Sequence, residues 1–284
     1  MDLSFDRPPT RPWLKIVFGS KRGIDDAALF PSLEAEWSNA KATELAAYQK
    51  ICGFGISEML PITYPQVLAT PLHMQLLASR AFPFKLMGLV HVGQSIRYHA
   101  PILEHEKMRI HVWVDGFRQV KRGGMFNLNT DVYVGTEKRW SASATTLTRH
   151  FKGHGQTEPR PPGPNLGQGA VGIRLAIPEN LGRRYMSISG DFNFIHVHAL
   201  LAKPFGFKRA IIHGMWSLAK GISHAPGELS HVDAAFLRPI FLPSDVDLSH
   251  ERVGDNQFNA IFSDARQGKT HLWIRGTLRE KSGA

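Results

Sequence analysis

The stretch YMSISGDFNFIHVHALLAKPFGFKRAIIHGM, Tyr185 to Met215, sets one carboxylate and three imidazoles among residues that favour turns. Asp191 and His196 stand five positions apart, and Gly190-Asp191-Phe192-Asn193 is a turn-forming tetrad. If that turn folds back on itself, a carboxylate and an imidazole converge on one small site, where one group can take a proton and the other can give one. Asn193, between them, would orient the loop or a substrate hydroxyl through its amide. Downstream, His213 to Ala225 (HGMWSLAKGISHA) spaces Met215, Leu218, Ala219 and Ile222 at steps of three and four, and Pro226-Gly227 closes it. That periodicity predicts a mostly buried helix. His213, at its start, is read as a residue that positions the loop through a hydrogen bond.

Outward from this core, the pattern changes to a period of two. IHVWV from Ile110 would send Ile110, Val112 and Val114 to one face of a strand and His111 and Trp113 to the other. Similar strands are expected at Ile96 (IRYHAPI), Phe126 (FNLNTDVYV), Trp140 (WSASATTLTR), His231 (HVDAAFLRPIF), Phe258 (FNAIFS) and His271 (HLWIRGTLR). Between His150 and Gly169 lies a Gly/Pro-rich polar stretch that reads as a linker, in which His150 and His154 are solvated loop residues. The expected division is residues 1–150, a linker over 151–169, and residues 170–284, each half a helix followed by strands.

A faint internal repeat follows. One register sets Leu72-His73 and Leu76-Leu77-Ala78 against Val197-His198 and Leu200-Leu201-Ala202, which places Gln66 opposite Asp191 and Pro71 opposite His196. Another sets Thr146-Leu147 and Arg149 against Thr277-Leu278-Arg279. Helices followed by strands that wrap them give an α+β class.

The 284 residues are 43% hydrophobic and 20% charged, which excludes disordered, collagenous and disulfide-scaffold classes. A single cysteine, Cys52, forbids an internal disulfide and any cysteine-based zinc site. His196-x-His198 would need a third ligand at suitable spacing to hold a metal, so none is expected. The opening MDLSFDRPPT lacks a basic n-region and a long apolar run, and no window holds about 18 uninterrupted apolar residues, so a cytoplasmic chain with no membrane insertion is expected. The net charge of +10 favours anionic partners, but the basic residues come in scattered pairs such as Lys121-Arg122 and Arg183-Arg184. Without a concentrated basic stripe, nucleic acid is not the expected partner. Neither GxSxG nor a phosphate loop occurs, which argues against covalent catalysis.

Tyr185, Ser189-Gly190-Asp191, Asn193, Ile195-His196, Gly206-Phe207 and His213-Gly214-Met215 together resemble the signature of the MaoC-like dehydratases, also called R-specific enoyl hydratases or type 2 hydratases. The resemblance implies a hot-dog fold, doubled in a chain of this length, with a degenerate amino-terminal half and a catalytic carboxy-terminal half. It implies reversible dehydration of (R)-3-hydroxyacyl thioesters to trans-2-enoyl thioesters, with Asp191 and His196 as the acid–base pair. No cofactor is implied; coenzyme A or acyl carrier protein enters as part of the substrate. The backbone N–H of Gly214, at a helix N-terminus, would steady the developing oxyanion. Tyr185, Phe207 and Trp216 are candidates to line an acyl pocket, although aromatics in such segments are more often core. Two departures stand out. Phe194 falls where family members commonly carry proline, which bears on chain-length preference, and His198 falls where aspartate or serine is common. Ser217 and Ser223 are the only candidates for an assisting helix serine. The chain could form a homodimer. Competing readings are a hot-dog acyl thioesterase and a non-catalytic acyl- or nucleic-acid-binding module.

Overall fold

The computed structural model describes residues 32–37, 40–86, 88–149, 157 and 162–280. The opening decapeptide, His150 and His154 lie outside these residues. Ten strands form one antiparallel sheet: β1 (Ser32–Trp37), β2 (Leu89–Tyr98), β3 (Met108–Val120), β4 (Gly123–Val134), β5 (Glu137–Thr148), β6 (Val171–Ile177), β7 (Leu229–Phe236), β8 (Ser244–Val253), β9 (Gln257–Asp264) and β10 (Thr270–Leu278). Their order is β1-β3-β4-β5-β2-β7-β10-β9-β8-β6. The order reads the same from both edges: β1 to β5 are laid out as β6 to β10 are, and the halves meet where β2 pairs with β7, from Gly93 opposite Ala235 to Arg97 opposite His231. A sheet that continues through this seam leaves neither central strand as an unpaired edge.

The alternation dictates which face is buried. Ile110, Val112 and Val114 of β3 are at most 5% exposed, and Phe126, Leu128 and Val132 of β4 and Trp140 of β5 join them under the helices. Among the described residues, five helices lie between the strands: α1 (Ala42–Cys52), α2 (Tyr64–Ala78), α3 (Leu181–Ser189), the short α4 (Ala199–Ala202) and α5 (Gly214–Ile222). Helix α2 packs on β1, β3 and β4, and α5 packs on β9 and β10. The buried polar tips find main-chain partners, as a low-dielectric interior demands: Trp140 Nε1 donates to Ile62 O at 2.7 Å and Tyr98 Oη donates to Leu60 O at 2.9 Å.

The topology corrects one reading of the repeat. Helix α2 runs into β2 as α5 runs into β7, so α2 corresponds to α5, and α1 corresponds to α3. The counterpart of Asp191 and His196 is therefore sought not at Gln66 and Pro71 but in residues 53–63, GFGISEMLPIT, which link α1 to α2. That link is less than half as long as residues 190–213 and contains neither histidine nor aspartate. The other alignment fits, because Thr146-Leu147 and Thr277-Leu278 both end the last strand of their half.

Candidate active site

Helix α3 stops at Gly190, whose φ of +70° puts it in the left-handed region that glycine adopts at little cost, and its N–H closes the helix on Met186 O at 3.0 Å. The reversal turns Asp191 inward. Ser189 Oγ accepts from Asp191 N at 3.3 Å, and the Asn193 N–H donates to the Asp191 carboxylate. Asn193 then starts a single 3₁₀ turn, Phe194–His196, by accepting from Ile195 N with its side-chain oxygen at 3.3 Å. This local accounting of donors delivers the His196 ring into the interior, where it is 7% exposed.

Residues 210–212 return beside the turn. Ile211 N donates to Ile195 O at 3.1 Å, and the Ile211 carbonyl faces His196 Nδ1 at 2.8 Å. A carbonyl can only accept, so Nδ1 carries the proton and Nε2 is left as the basic nitrogen. The next residue but one, His213, is 1% exposed and donates from Nε2 to Asp191 O at 3.2 Å. Its ring stacks on His196 with centroids 3.6 Å apart and 27° between planes. Tyr185, from α3, sets its ring 5.0 Å from that of His213. One ligand atom each from Asp191, His196 and His213 lies within 4.8 Å of the other two. That spacing could also hold a divalent cation, with His213 rather than His198 as the third donor.

Burial decides the electrostatics. It pushes the Asp191 carboxyl above its usual 3.8, against the opposing pull of His196 and of the Asn193 N–H. It pushes His196 below 6.5, against Asp191 and the Ile211 carbonyl. His213 lies well below 6.5, through burial first and the neighbouring His196 second, and is held neutral. Burial thus drives the carboxylate and the imidazole toward each other, which narrows the free-energy gap for moving a proton between them.

The remaining residues singled out in the sequence fall in several places. Gly214, next to His213, is the first residue of α5, where helical N–H groups have no acceptor within the helix. Phe194 is 39% exposed on the 3₁₀ turn, and Phe207 is half-buried beyond a second turn, Lys203–Phe205. Trp216 lies in a different groove, with Lys50, Ile51, Leu175, Leu181, Arg184 and Lys220, and its Nε1 donates to Ile51 O at 3.0 Å, tying α5 to α1. His198 is exposed and caps α4 by accepting from Leu200 N. Ser217 and Ser223 donate to the His213 and Lys220 carbonyls.

Three contributors escaped sequence reasoning. The Ile211 carbonyl fixes a tautomer, and no side-chain pattern announces a main-chain acceptor. Gly182 of α3 lets the His196 carbonyl approach so closely that a Cβ there would sit 2.1 Å from it. Tyr48, from the other half, lies 6.3 Å from Tyr185 between ring centroids and donates to Thr63 Oγ1 at 2.8 Å.

A helix-wrapping antiparallel sheet, repeated and fused at its central strands, with a buried Asp–His pair at a helix N-terminus, defines a double hot-dog protein of the dehydratase class. The family description "MaoC like domain" matches residues 168–271. The 3-hydroxyacyl-thioester dehydratase X of Mycobacterium tuberculosis (strain ATCC 25618 / H37Rv) is 30% identical over 234 residues, 80% of this chain and 82% of that protein. The crystal structure of HtdX from the same organism superposes with a TM-score of 0.74 at 27% identity, over 87% of this chain and 99% of that one. A MaoC-like dehydratase from Phytophthora capsici shares the fold at TM-score 0.74 and 16% identity, over 92% and 100% of the two chains. The chain belongs to the MaoC-like dehydratase family.

Proposed function

We propose that the protein interconverts (R)-3-hydroxyacyl and trans-2-enoyl thioesters, with Asp191 and His196 as the acid–base pair. The observation that carries this reading is the meeting of a carboxylate and a neutral imidazole within 4.8 Å, each shifted toward the other by burial. In dehydration, the C2–H bond breaks, its proton passes to one member of the pair, and the electron pair forms the C2–C3 double bond. The C3–O bond breaks as the other member protonates the departing hydroxyl, which leaves as water. Hydration runs the same steps backwards. The negative charge that develops on the thioester oxygen needs a donor already in place, and the free N–H of Gly214 at the positive end of α5 supplies one.

The reaction is redox-neutral, and proton transfer plus one oxyanion donor suffice for it without metal, flavin or nicotinamide. One site per chain follows from residues 53–63, which offer no counterpart to the pair. In this reading the amino-terminal half, residues 1–150, completes the sheet and supplies room for the acyl chain, while residues 170–284 carry the chemistry.

The test is hydration of crotonyl and longer enoyl thioesters, followed by loss of the conjugated-thioester absorbance, with chiral analysis of the product. Formation of the (S)-alcohol would overturn the stereochemical part, and no hydration at any chain length would overturn the whole. A thiol-reactive dye in the same assay separates this activity from hydrolysis, which alone frees the thiol. Cys52 is buried and its thiol is pushed up to about 12, mainly by desolvation, so the native protein is expected to leave the dye unreacted until it is denatured.

The pH dependence has a definite sign. Burial depresses His196, so its neutral form persists to lower pH than that of a free imidazole. The acid limb of kcat/KM should therefore titrate below 6.5; a limb above that value would contradict a neutral His196 in the working enzyme.

A further inference from the structure

The ring of His213 touches both members of the proposed pair, since it stacks on His196 and its Nε2 donates to the Asp191 carbonyl. Its own footing is slight. That single bond is long, 3.2 Å, and the buried Nδ1 meets no hydrogen-bond partner among the described residues. Packing between rings supplies the rest, with His196 at 3.6 Å and Tyr185 at 5.0 Å between centroids. Tyr185 is held in turn at its hydroxyl. It is buried, and its hydroxyl bonds that of Tyr48, which is fully buried on α1 and donates to Thr63 Oγ1 at 2.8 Å. A chain of buried contacts thus runs from the His196 ring into the amino-terminal half. Helix α1 packs on both α3 and α5, the two helices that bracket residues 190–213.

We infer that Tyr48 is a positioning residue for the reaction: by holding the Tyr185 hydroxyl it fixes the plane of His213, and so the relation of His196 to Asp191. The inference deepens the proposed function and rests on it. It gives the amino-terminal half a part in the chemistry, although residues 53–63 contain neither histidine nor aspartate. The hydroxyl of Tyr48 carries the role more than its ring, which meets Tyr185 only at 6.3 Å between centroids and tilted by 47°. A buried phenol must keep a partner. Without Tyr48, the Tyr185 hydroxyl is drawn toward Asp191, whose charge it already feels, and that turn swings the ring on which His213 packs.

The experiment compares Tyr48→Phe, Thr63→Val and Tyr64→Phe in the full chain. Tyr64 is the control: its ring is buried 5.0 Å from that of Tyr48, but its phenol feels Glu44 and Glu104 rather than Asp191. With crotonyl-coenzyme A, Tyr48→Phe should lower kcat by about tenfold and leave KM within about twofold, the pattern of misplaced reacting groups rather than of lost substrate contact. Thr63→Val, which removes the far anchor, should lower kcat in the same way. The double variant should fall no further than Tyr48→Phe alone, because both changes cut one chain. Tyr64→Phe should turn over as the wild type does. Without substrate, the imidazole NMR resonances of His196 and His213 should move in Tyr48→Phe and stay in place in Tyr64→Phe. A lower melting temperature with kcat and those resonances unmoved would make Tyr48 a core residue only and overturn the inference. So would an equal loss in Tyr64→Phe, or a loss confined to KM. A wild type that hydrates no enoyl thioester, with the imidazole shifts present, would instead remove the hydratase reading and leave the coupling of Tyr48 to the two histidines standing.

Discussion

Asp191→Asn and His196→Ala are each expected to lower kcat/KM for enoyl-thioester hydration by about 10²–10⁴-fold, the range that one positioned proton-transfer group supplies. Their stabilities should differ. Asparagine keeps the shape of the side chain and removes a carboxyl whose ionisation burial already opposes, so the melting temperature should change little. Alanine at 196 leaves the Ile211 carbonyl without its 2.8 Å donor and His213 without its stacking partner. The unsatisfied buried carbonyl alone costs roughly 1–3 kcal/mol, visible as a lower melting temperature. Combining the two variants should cost far less than the product of the single effects, because the residues act as one unit. Steady-state kinetics beside thermal unfolding reads all three outcomes. Full activity in either single variant removes that residue from the chemistry.

A structural effect of similar size is expected from a smaller change. Gly182→Ala places a methyl group 2.1 Å from the His196 carbonyl oxygen and 3.0 Å from Leu242 Cδ1. In a helix, alanine is ordinarily favoured over glycine by about 1 kcal/mol, so propensity alone predicts stabilisation. The contact wins, because the nearer atom is backbone and must retreat by roughly 1 Å to reach ordinary separation. If His196 acts as proposed, a displacement of that size costs on the order of 10² in rate, and overpacking costs typically about 1–3 kcal/mol. The expected result is a protein that folds, melts lower and has lost most of its kcat. Gly172→Ala is the matched control, since its nearest neighbour is Ser249 Oγ at 3.9 Å on an exposed edge strand, and it should behave as wild type. Wild-type kinetics in Gly182→Ala would show that the His196 turn tolerates the shift.

Both variants act on features with different visibility in the sequence. Asp191 and His196 were legible because their spacing, the turn residues between them and the HGM helix start occur together within 31 residues. The strand faces were legible for a similar reason, as the two-residue period of β3 sorts Ile110, Val112 and Val114 from His111 and Trp113 without outside help. Strands β1, β6 and β8 were not among the strands expected from the sequence, although SLEAEW of β1 and VGIRLAI of β6 also place an apolar residue at every second position. β1 and β6 lie at the two edges of the sheet, and β8 alternates few apolar residues with many polar ones. The repeat register failed at the helices because the halves differ in length between corresponding helices, so sequence proximity to a helix misled where topology did not.

Local sequence therefore determined the proposed acid–base pair, the helix that follows it and the period of most strands, since each depends on neighbours a few residues apart. Tertiary structure alone decided the rest: which main-chain carbonyl fixes the His196 tautomer, that His213 stacks on it, that Trp216 ties α5 to the other half, and that β2 meets β7. These contacts join residues from 15 to 165 positions apart, and no local period encodes a contact that exists only after the chain has returned upon itself.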